Sequence, residues 1–153
     1  MKKQADNTIA VKKNARFEYH IGEQFECGMC LQGWEVKSLR AKPGQINESH
    51  VIIKKGEAFL LGSIINPLTS TSSHINADPS RTRKLLLTKR ELSKLIGHVE
   101  RKGFTLVPLS MYWHKHLVKI KIALAKGKKL HDKRQDSKEK DWQRQKARLH
   151  KLS

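Results

Sequence analysis

Val118-Lys119-Ile120-Lys121-Ile122-Ala123-Leu124-Ala125 is the stretch that decides the fold. Val118, Ile120, Ile122 and Leu124 alternate with Lys119, Lys121, Ala123 and Ala125, the period of a strand with one face in a core and two lysines on the other. Such a strand needs partners, and the residues before it supply them. Phe104 to Trp113 is β-rich but interrupted by Pro108, which suits an edge strand or a bulge. Val51-Ile52-Ile53 and Ala58-Phe59-Leu60-Leu61 flank Lys54-Lys55-Gly56-Glu57, a β-hairpin with glycine in its turn. Phe17, Tyr19, Ile21, Phe25, Met29 and Leu31 all fall on odd positions, which predicts one strand, or two with a break near Gly22.

Helices are fewer. Thr88 and Glu91 have capping-box spacing, Leu92, Leu95, Ile96 and Val99 follow the i, i+3, i+4, i+7 rule, and Gly103 stands where a C-terminal glycine belongs. A shorter helix is predicted over Trp34–Arg40, stopped by Pro43-Gly44. Pro67 to Pro79, rich in Ser, Thr, Asn and Asp, is a loop. At least five strands with two helices predict a mainly β fold, an OB-like small barrel, because closure removes exposed edges from a small β domain. The predicted organisation is a loose N-terminus over 1–8, the barrel over 9–125 and a basic tail over 126–153. The tail has no proline and no glycine after Gly127, but its apolar stripe is thin. It is expected to be disordered alone and helical against a polyanion.

Charge narrows the function. The 153 residues hold 32 Lys and Arg against 14 Asp and Glu, a net charge of +18. Self-repulsion of that size calls for a polyanionic partner. Residues 17–78 carry −2, whereas 79–125 carry +9 and 126–153 carry +7, so a polarised surface is expected. No apolar run approaches the roughly 18–20 residues of a membrane span, and the Lys-rich N-terminus lacks a signal peptide's apolar region. A soluble, cytoplasmic protein is expected.

Motifs for covalent chemistry are absent. Cys27-Gly28-Met29-Cys30 is a C-x-x-C, but it lies in a strand pattern and lacks the two further ligands that zinc needs. His114 and His116 would share one face of an extended strand, yet surface or RNA contact is the commoner use of such histidines. No D-x-D, E-x-x-H or phosphate-binding loop occurs, so neither an enzyme nor a cofactor is expected. The cluster Arg81-Thr82-Arg83-Lys84 before Leu85-Leu86-Leu87 suits RNA, because guanidinium groups grip phosphates bidentately. Leu85 and Leu87 are expected in the core. Lys126-Gly127-Lys128-Lys129 and His131-Asp132-Lys133-Arg134 form a second basic cluster. Arg16, Lys37 and Arg40 complete the basic candidates for RNA contact.

Gly33-Trp34-Glu35-Val36-Lys37-Ser38-Leu39-Arg40, Asp78-Pro79-Ser80-Arg81-Thr82-Arg83-Lys84-Leu85-Leu86-Leu87, and Ala125-Lys126-Gly127-Lys128-Lys129 with Asp132-Lys133-Arg134 resemble the signature blocks of the SmpB family. These are the bacterial SsrA-binding proteins, and the resemblance runs from about Ile9 to Leu149. It implies a non-enzymatic, monomeric protein that binds the tRNA-like domain of transfer-messenger RNA and escorts it to stalled ribosomes. The tail then acts in the small-subunit decoding centre and messenger channel, while elongation factor Tu and alanyl-tRNA synthetase act on the same RNA. Glu26 and Leu86 match family positions important for the RNA, and His131, Asp132, Lys133 and Arg134 match the tail motif. Trp142, Arg144, Lys146 and Arg148 extend the ribosome-acting tail. Lys12 departs from the family, standing where members usually carry Asn, with Asn14 two residues later; a lysine there can contact phosphate.

Two rivals make different demands. A generic single-strand RNA binder needs aromatic platforms, for which Tyr112 and Trp113 are the few candidates in the second half. A metal-dependent nuclease needs a set of acids brought together from distant positions.

Overall fold

The computed structural model describes residues 7–71 and 74–152, without the side chains of Leu130, Asp132, Asp136 and residues 149–152. The expectation of a loose N-terminus therefore falls mostly outside the described residues.

Alternating apolar residues build an antiparallel sheet of seven strands: β1 (Thr8–Val11), β2 (Tyr19–Met29), β3 (His50–Lys54), β4 (Glu57–Leu61), β5 (Arg83–Leu86), β6 (Thr105–His114) and β7 (Leu117–Gly127). The order is β1-β6-β3-β4-β5-β2-β7, and β6 also pairs with β7, so six strands close into a ring with β1 added to β6. Closure pairs the edges that an open sheet would leave bare. Phe25, Cys27, Leu60, Leu85, Met111, Ile120 and Ile122 point inward and are buried. The outward parity of β7 leaves Lys119 and Lys121 half-buried.

Local chemistry sets the connections. The β3–β4 hairpin turns at Lys55 and Gly56, both at positive φ (53° and 74°), the backbone of a type I′ turn that matches strand twist. Pro108 lies at a register shift between Pro108 and Ser110. There the outer neighbour of β6 changes from β3, at Leu106, to β1, at Ser110 to Tyr112. The strand is thus bulged but not an edge. β2 and β7 are irregular between Ile21 and Gln24, where a Cβ on Gly22 would meet the Leu124 carbonyl oxygen at 3.1 Å. The predicted break near Gly22 is therefore a bulge within one strand.

One element departs from the alternation. Ala15–Glu18 form a single helical turn, α1, so Phe17 belongs to a helix and not to the strand its parity suggested. Four residues are too few to print a 3.6-residue period. α2 (Gly33–Ala41) and α3 (Lys89–Lys102) follow the predicted spacing. In α3 the Thr88 hydroxyl accepts from the Glu91 N–H, and left-handed Gly103 ends the helix. Leu95 of α3 is fully buried in the main core.

Leu130–Leu152 is one helix, α4, over the stretch expected to become helical against a polyanion. Its residues are good helix formers, and Gln143 donates to Glu139 one turn away (3.3 Å). Lys133 and Lys140, two turns apart, sit over the Phe17 ring at 6.0 and 5.6 Å from its centroid. Cation–π contact thereby ties α4 to α1, a tertiary support absent from the tail's own pattern.

Candidate nucleic-acid interface

Register places the functional candidates in rows across the outside of the ring. Leu86 pairs with Gly28, Gly28 with Lys119, Lys119 with Tyr112 and Tyr112 with Thr8, one row across five strands. The row beside it runs from Glu26 to Lys121, Ser110 and Val11. Each position has outward parity, because its chain neighbours Phe25, Cys27, Leu85, Met111, Ile120 and Ile122 are core.

The rows combine an apolar end, a carboxylate and cations. Leu86 is half-exposed and lies 3.5 Å from where a Gly28 Cβ would be. The missing side chain leaves a dip that Leu86 leans over. The Tyr112 hydroxyl donates to the Glu26 carboxylate, joining positions 86 residues apart. Burial, and then the Glu26 carboxylate, push the Tyr112 phenol above its ordinary range, so it remains a donor at any physiological pH. Among the described residues the other Glu26 oxygen is available as an acceptor for base amino groups or ribose hydroxyls.

Two depressions of about 350 Å³ each flank this centre and share Ser110 and Lys121. Lys12, Lys13, Arg16 and Gln24 line one, and Glu26, Tyr112, Trp113 and His114 line the other. The surface is a shallow track, cationic on the side of Lys12, Lys13 and Arg16 and polar-aromatic on the side of Glu26 and Tyr112. Sequence pattern places Lys119 and Lys121 on an outer strand face without assigning them to the site, and offers Tyr112 only as a stacking platform, not as the partner of Glu26. The outward parity of β7 was the signal that could have found the two lysines.

Several candidates have other duties. Arg83 was expected to touch RNA, and the structure overturns this: it is fully buried. Its Nε donates to Glu35 at 2.8 Å, Nη1 to the Ser63 carbonyl and hydroxyl at 2.9 and 3.0 Å, and Nη2 to the Pro79 carbonyl at 3.1 Å. No donor edge is left for a phosphate. Arg81 is partly exposed and splits its donors between Glu35 (2.5 Å) and the Cys30 carbonyl (3.2 Å). Glu35 also accepts from the Gln32 N–H at 2.7 Å, capping α2. Burial alone would raise the Glu35 carboxyl pKa, but the hydrogen bonds from Arg81, Gln32 and Arg83 hold it below the usual range. Lys84 pairs with Glu57 at the surface. The Lys12 ammonium donates to the carbonyls of Asn47 and Ser49, so it ties the chain after β1 to the loop before β3.

The remaining positions lie away from the two rows. Lys37 and Arg40 are exposed on α2. Lys126 stands over the Phe104 ring, 4.7 Å from its centroid. The Lys128 N–H donates to the Glu18 carbonyl at 2.9 Å, and Lys129 is exposed just before α4. On α4, His131, Arg134, Trp142, Arg144, Lys146 and Arg148 are exposed, Lys146 lies over Trp142 and Arg144 faces Asp141 at 3.8 Å. The Asp132 side chain is outside the described residues.

The cysteines part company: Cys27 is in the core and Cys30 is exposed. Burial first, and then the nearby carboxylates of Glu91 and Glu26, push the Cys27 thiol up to about 12. Nor do His114 and His116 share a strand face. His114 ends β6, and Lys115, at φ 58°, turns the chain between them. Among the described residues no three His, Cys, Asp or Glu side chains converge as a metal site, and no helix is long and apolar enough to cross a membrane.

A closed antiparallel ring with cations and one carboxylate in register outside it, and a long basic helix at its side, defines a compact β protein suited to a polyanion. The chain belongs to the SmpB protein family, whose model matches residues 9–152. It is 57% identical over 143 residues to the SsrA-binding protein of Chromohalobacter salexigens, covering 94% of this chain and 91% of the relative. It also resembles a chain of the solved structure "tmRNA-SmpB: a journey to the center of the bacterial ribosome". There the identity is 44%, the TM-score 0.62, and the match covers 78% of this chain and 84% of that one.

Proposed function

We propose that this protein binds the tRNA-like domain of transfer-messenger RNA with the outer face of its ring and carries it to stalled ribosomes. The observation that supports this most is the register that sets Leu86, Lys119, Tyr112, Glu26 and Lys121 side by side. Apolar contact, carboxylate acceptor and phosphate-seeking cations together suit a folded RNA with accessible base edges and ribose hydroxyls. Arg16 and Lys12 extend the cationic flank.

The basic helix α4, with His131 to Arg134 at its start and Trp142 to Arg148 beyond, acts on the ribosome in this scheme, in the vacant decoding centre and messenger channel. The role is binding and delivery without covalent chemistry, in the cytoplasm and as a monomer. Elongation factor Tu and alanyl-tRNA synthetase act on the same RNA.

The test is filter binding of the full-length protein to the tRNA-like domain, with ordinary tRNA as competitor. Tight, salt-dependent binding that ordinary tRNA displaces poorly is expected. Equal displacement by ordinary tRNA, or cleavage of the RNA, would refute the proposal.

A further inference from the structure

Trp113 packs against the main core and borders two depressions. The first holds Glu26 and Tyr112. The second is a separate open pocket of about 210 Å³ with Arg40, Lys115 and His116. Arg40 reaches across from α2 and places its guanidinium carbon 5.7 Å from the Trp113 ring centroid.

Neighbouring structure makes this pocket unusual. Trp34, Glu35, Ser38 and Leu39 bury the inner face of α2, which turns Lys37 and Arg40, one turn apart, outward. Lys115 holds a left-handed conformation at the tip of the β6–β7 hairpin, and that tip shares the pocket with Arg40 of α2. No acid lines the pocket. Among the described residues the side chains of Lys37, Lys115 and His116 have no hydrogen-bond or ion-pair partner, and that of Arg40 has only the indole. A guanidinium on an indole keeps its N–H edge for a phosphate and its outer planar face for a base.

We infer that Arg40, Trp113, Lys115 and His116 form a nucleotide subsite that takes one unstacked base of the bound RNA together with its flanking phosphate. The base packs on the Arg40–Trp113 pair, while Lys115 and the Arg40 edge meet the phosphate. Charge complementarity favours RNA, and continuity does too, since Trp113 is a wall of both the Glu26 depression and this pocket. The RNA path therefore leaves the ring's outer face at Tyr112 and ends against α2. This inference rests on the RNA-binding function proposed above and adds a second patch to it.

The experiment measures affinity for the tRNA-like domain against salt for wild type, Arg40→Gln, Arg40→Lys and Lys121→Gln. Arg40 is exposed, so its variants are expected to fold, and circular dichroism verifies that. Arg40→Gln is expected to weaken binding roughly tenfold, within the range measured for lost base stacking. It is also expected to flatten the log–log salt slope by about 0.7–0.9, one phosphate contact. Arg40→Lys is expected to restore the slope but not the affinity, because an ammonium carries charge without a plane. A second readout uses protein labelled with 5-fluorotryptophan, with the Trp113 fluorine resonance assigned by its loss in Trp113→Phe. That resonance is expected to move on RNA addition while that of buried Trp34 stays put. If wild type binds, Arg40→Gln matches it in affinity and slope, and the Trp113 signal is unmoved, the subsite is wrong and the outer-face site stands. If wild type does not bind the RNA, both fall. Should Arg40→Lys recover full affinity, the base-stacking part is overturned.

Discussion

The carboxylate of Glu35 lies 2.8 Å from the Nε of Arg83, and both side chains are fully buried, 48 residues apart in sequence. With Arg81 as a second partner, the pair pins the start of α2 to β5 and to the loop ending at Pro79. An arginine sealed in this way belongs to the fold. It also holds the base of the helix whose outer face presents Lys37 and Arg40. Removing one member leaves the other's charge buried and uncompensated, a far larger cost than losing a surface pair.

Glu35→Gln is therefore expected to cost about 3–5 kcal/mol of stability, as breaking a buried pair does. The folded-state pKa of Glu35 lies below its ordinary value of 4.5. Its ionisation therefore stabilises the protein above that value, and the contribution is lost as pH falls through the folded pKa. Urea titrations from pH 7 to pH 3 are expected to show the gap between wild type and variant narrowing below about pH 4.5. A gap independent of pH would mean that the carboxylate's charge is not what the variant removes.

Tyr112→Phe removes the hydroxyl that orients Glu26. The bond lies at the surface, so the thermal midpoint is expected to hardly move. RNA affinity is expected to fall about threefold to tenfold, the equivalent of roughly 0.5–1.5 kcal/mol for one hydrogen bond. Filter binding at fixed salt measures it, and unchanged affinity would mean that Glu26 needs no such orientation.

Lys121 stands between Glu26 and Ser110 on the outer face. Lys121→Gln is expected to flatten the dependence of log affinity on log salt by about 0.7–0.9. A slope equal to the wild type's would place Lys121 off the phosphate path.

The thiols offer a test of the core. Cys27 is fully buried with its pKa raised to about 12, while Cys30 is exposed. An aromatic disulfide reagent at pH 8 is expected to label one thiol per native molecule and both in urea. Rapid labelling of two native thiols would contradict the inward facing of β2.

Removing α4 separates the two proposed activities. Truncation after Lys129 is expected to leave RNA affinity within a few-fold while abolishing ribosome rescue in a reconstituted assay. Phe17→Ala, which deletes the ring beneath Lys133 and Lys140, is expected to speed amide exchange in α4 without altering the ring of strands. Equal exchange in α4 would show that the helix stands without its contact to α1.

Much of the architecture is written in short-range pattern. The alternation of Val118 to Leu124, the Lys55-Gly56 turn and the Thr88–Glu91 capping box act over a few residues, so their periods and spacings survive in the linear chain. The one helical turn at Ala15–Glu18 does not show, because the odd-numbered apolar residues continue through it into β2. The contact of α4 with Phe17 joins positions more than a hundred residues apart, which no local pattern in the tail records. Charge pattern likewise could not separate Arg83 from Arg81: only the approach of Glu35 and Ser63 turns one arginine into a core residue.

By itself the sequence determined a small β domain, its principal hairpin and capped helix, its excess of positive charge and the outward parity of Lys119 and Lys121. Tertiary structure alone decided which cations are spent on the fold, which carboxylate meets Tyr112, and that Trp113 and Arg40 face each other. Propensity, capping and alternation act between near neighbours along the chain. The pairing of distant charges and rings depends on how the ring of strands closes, and no local spacing encodes that.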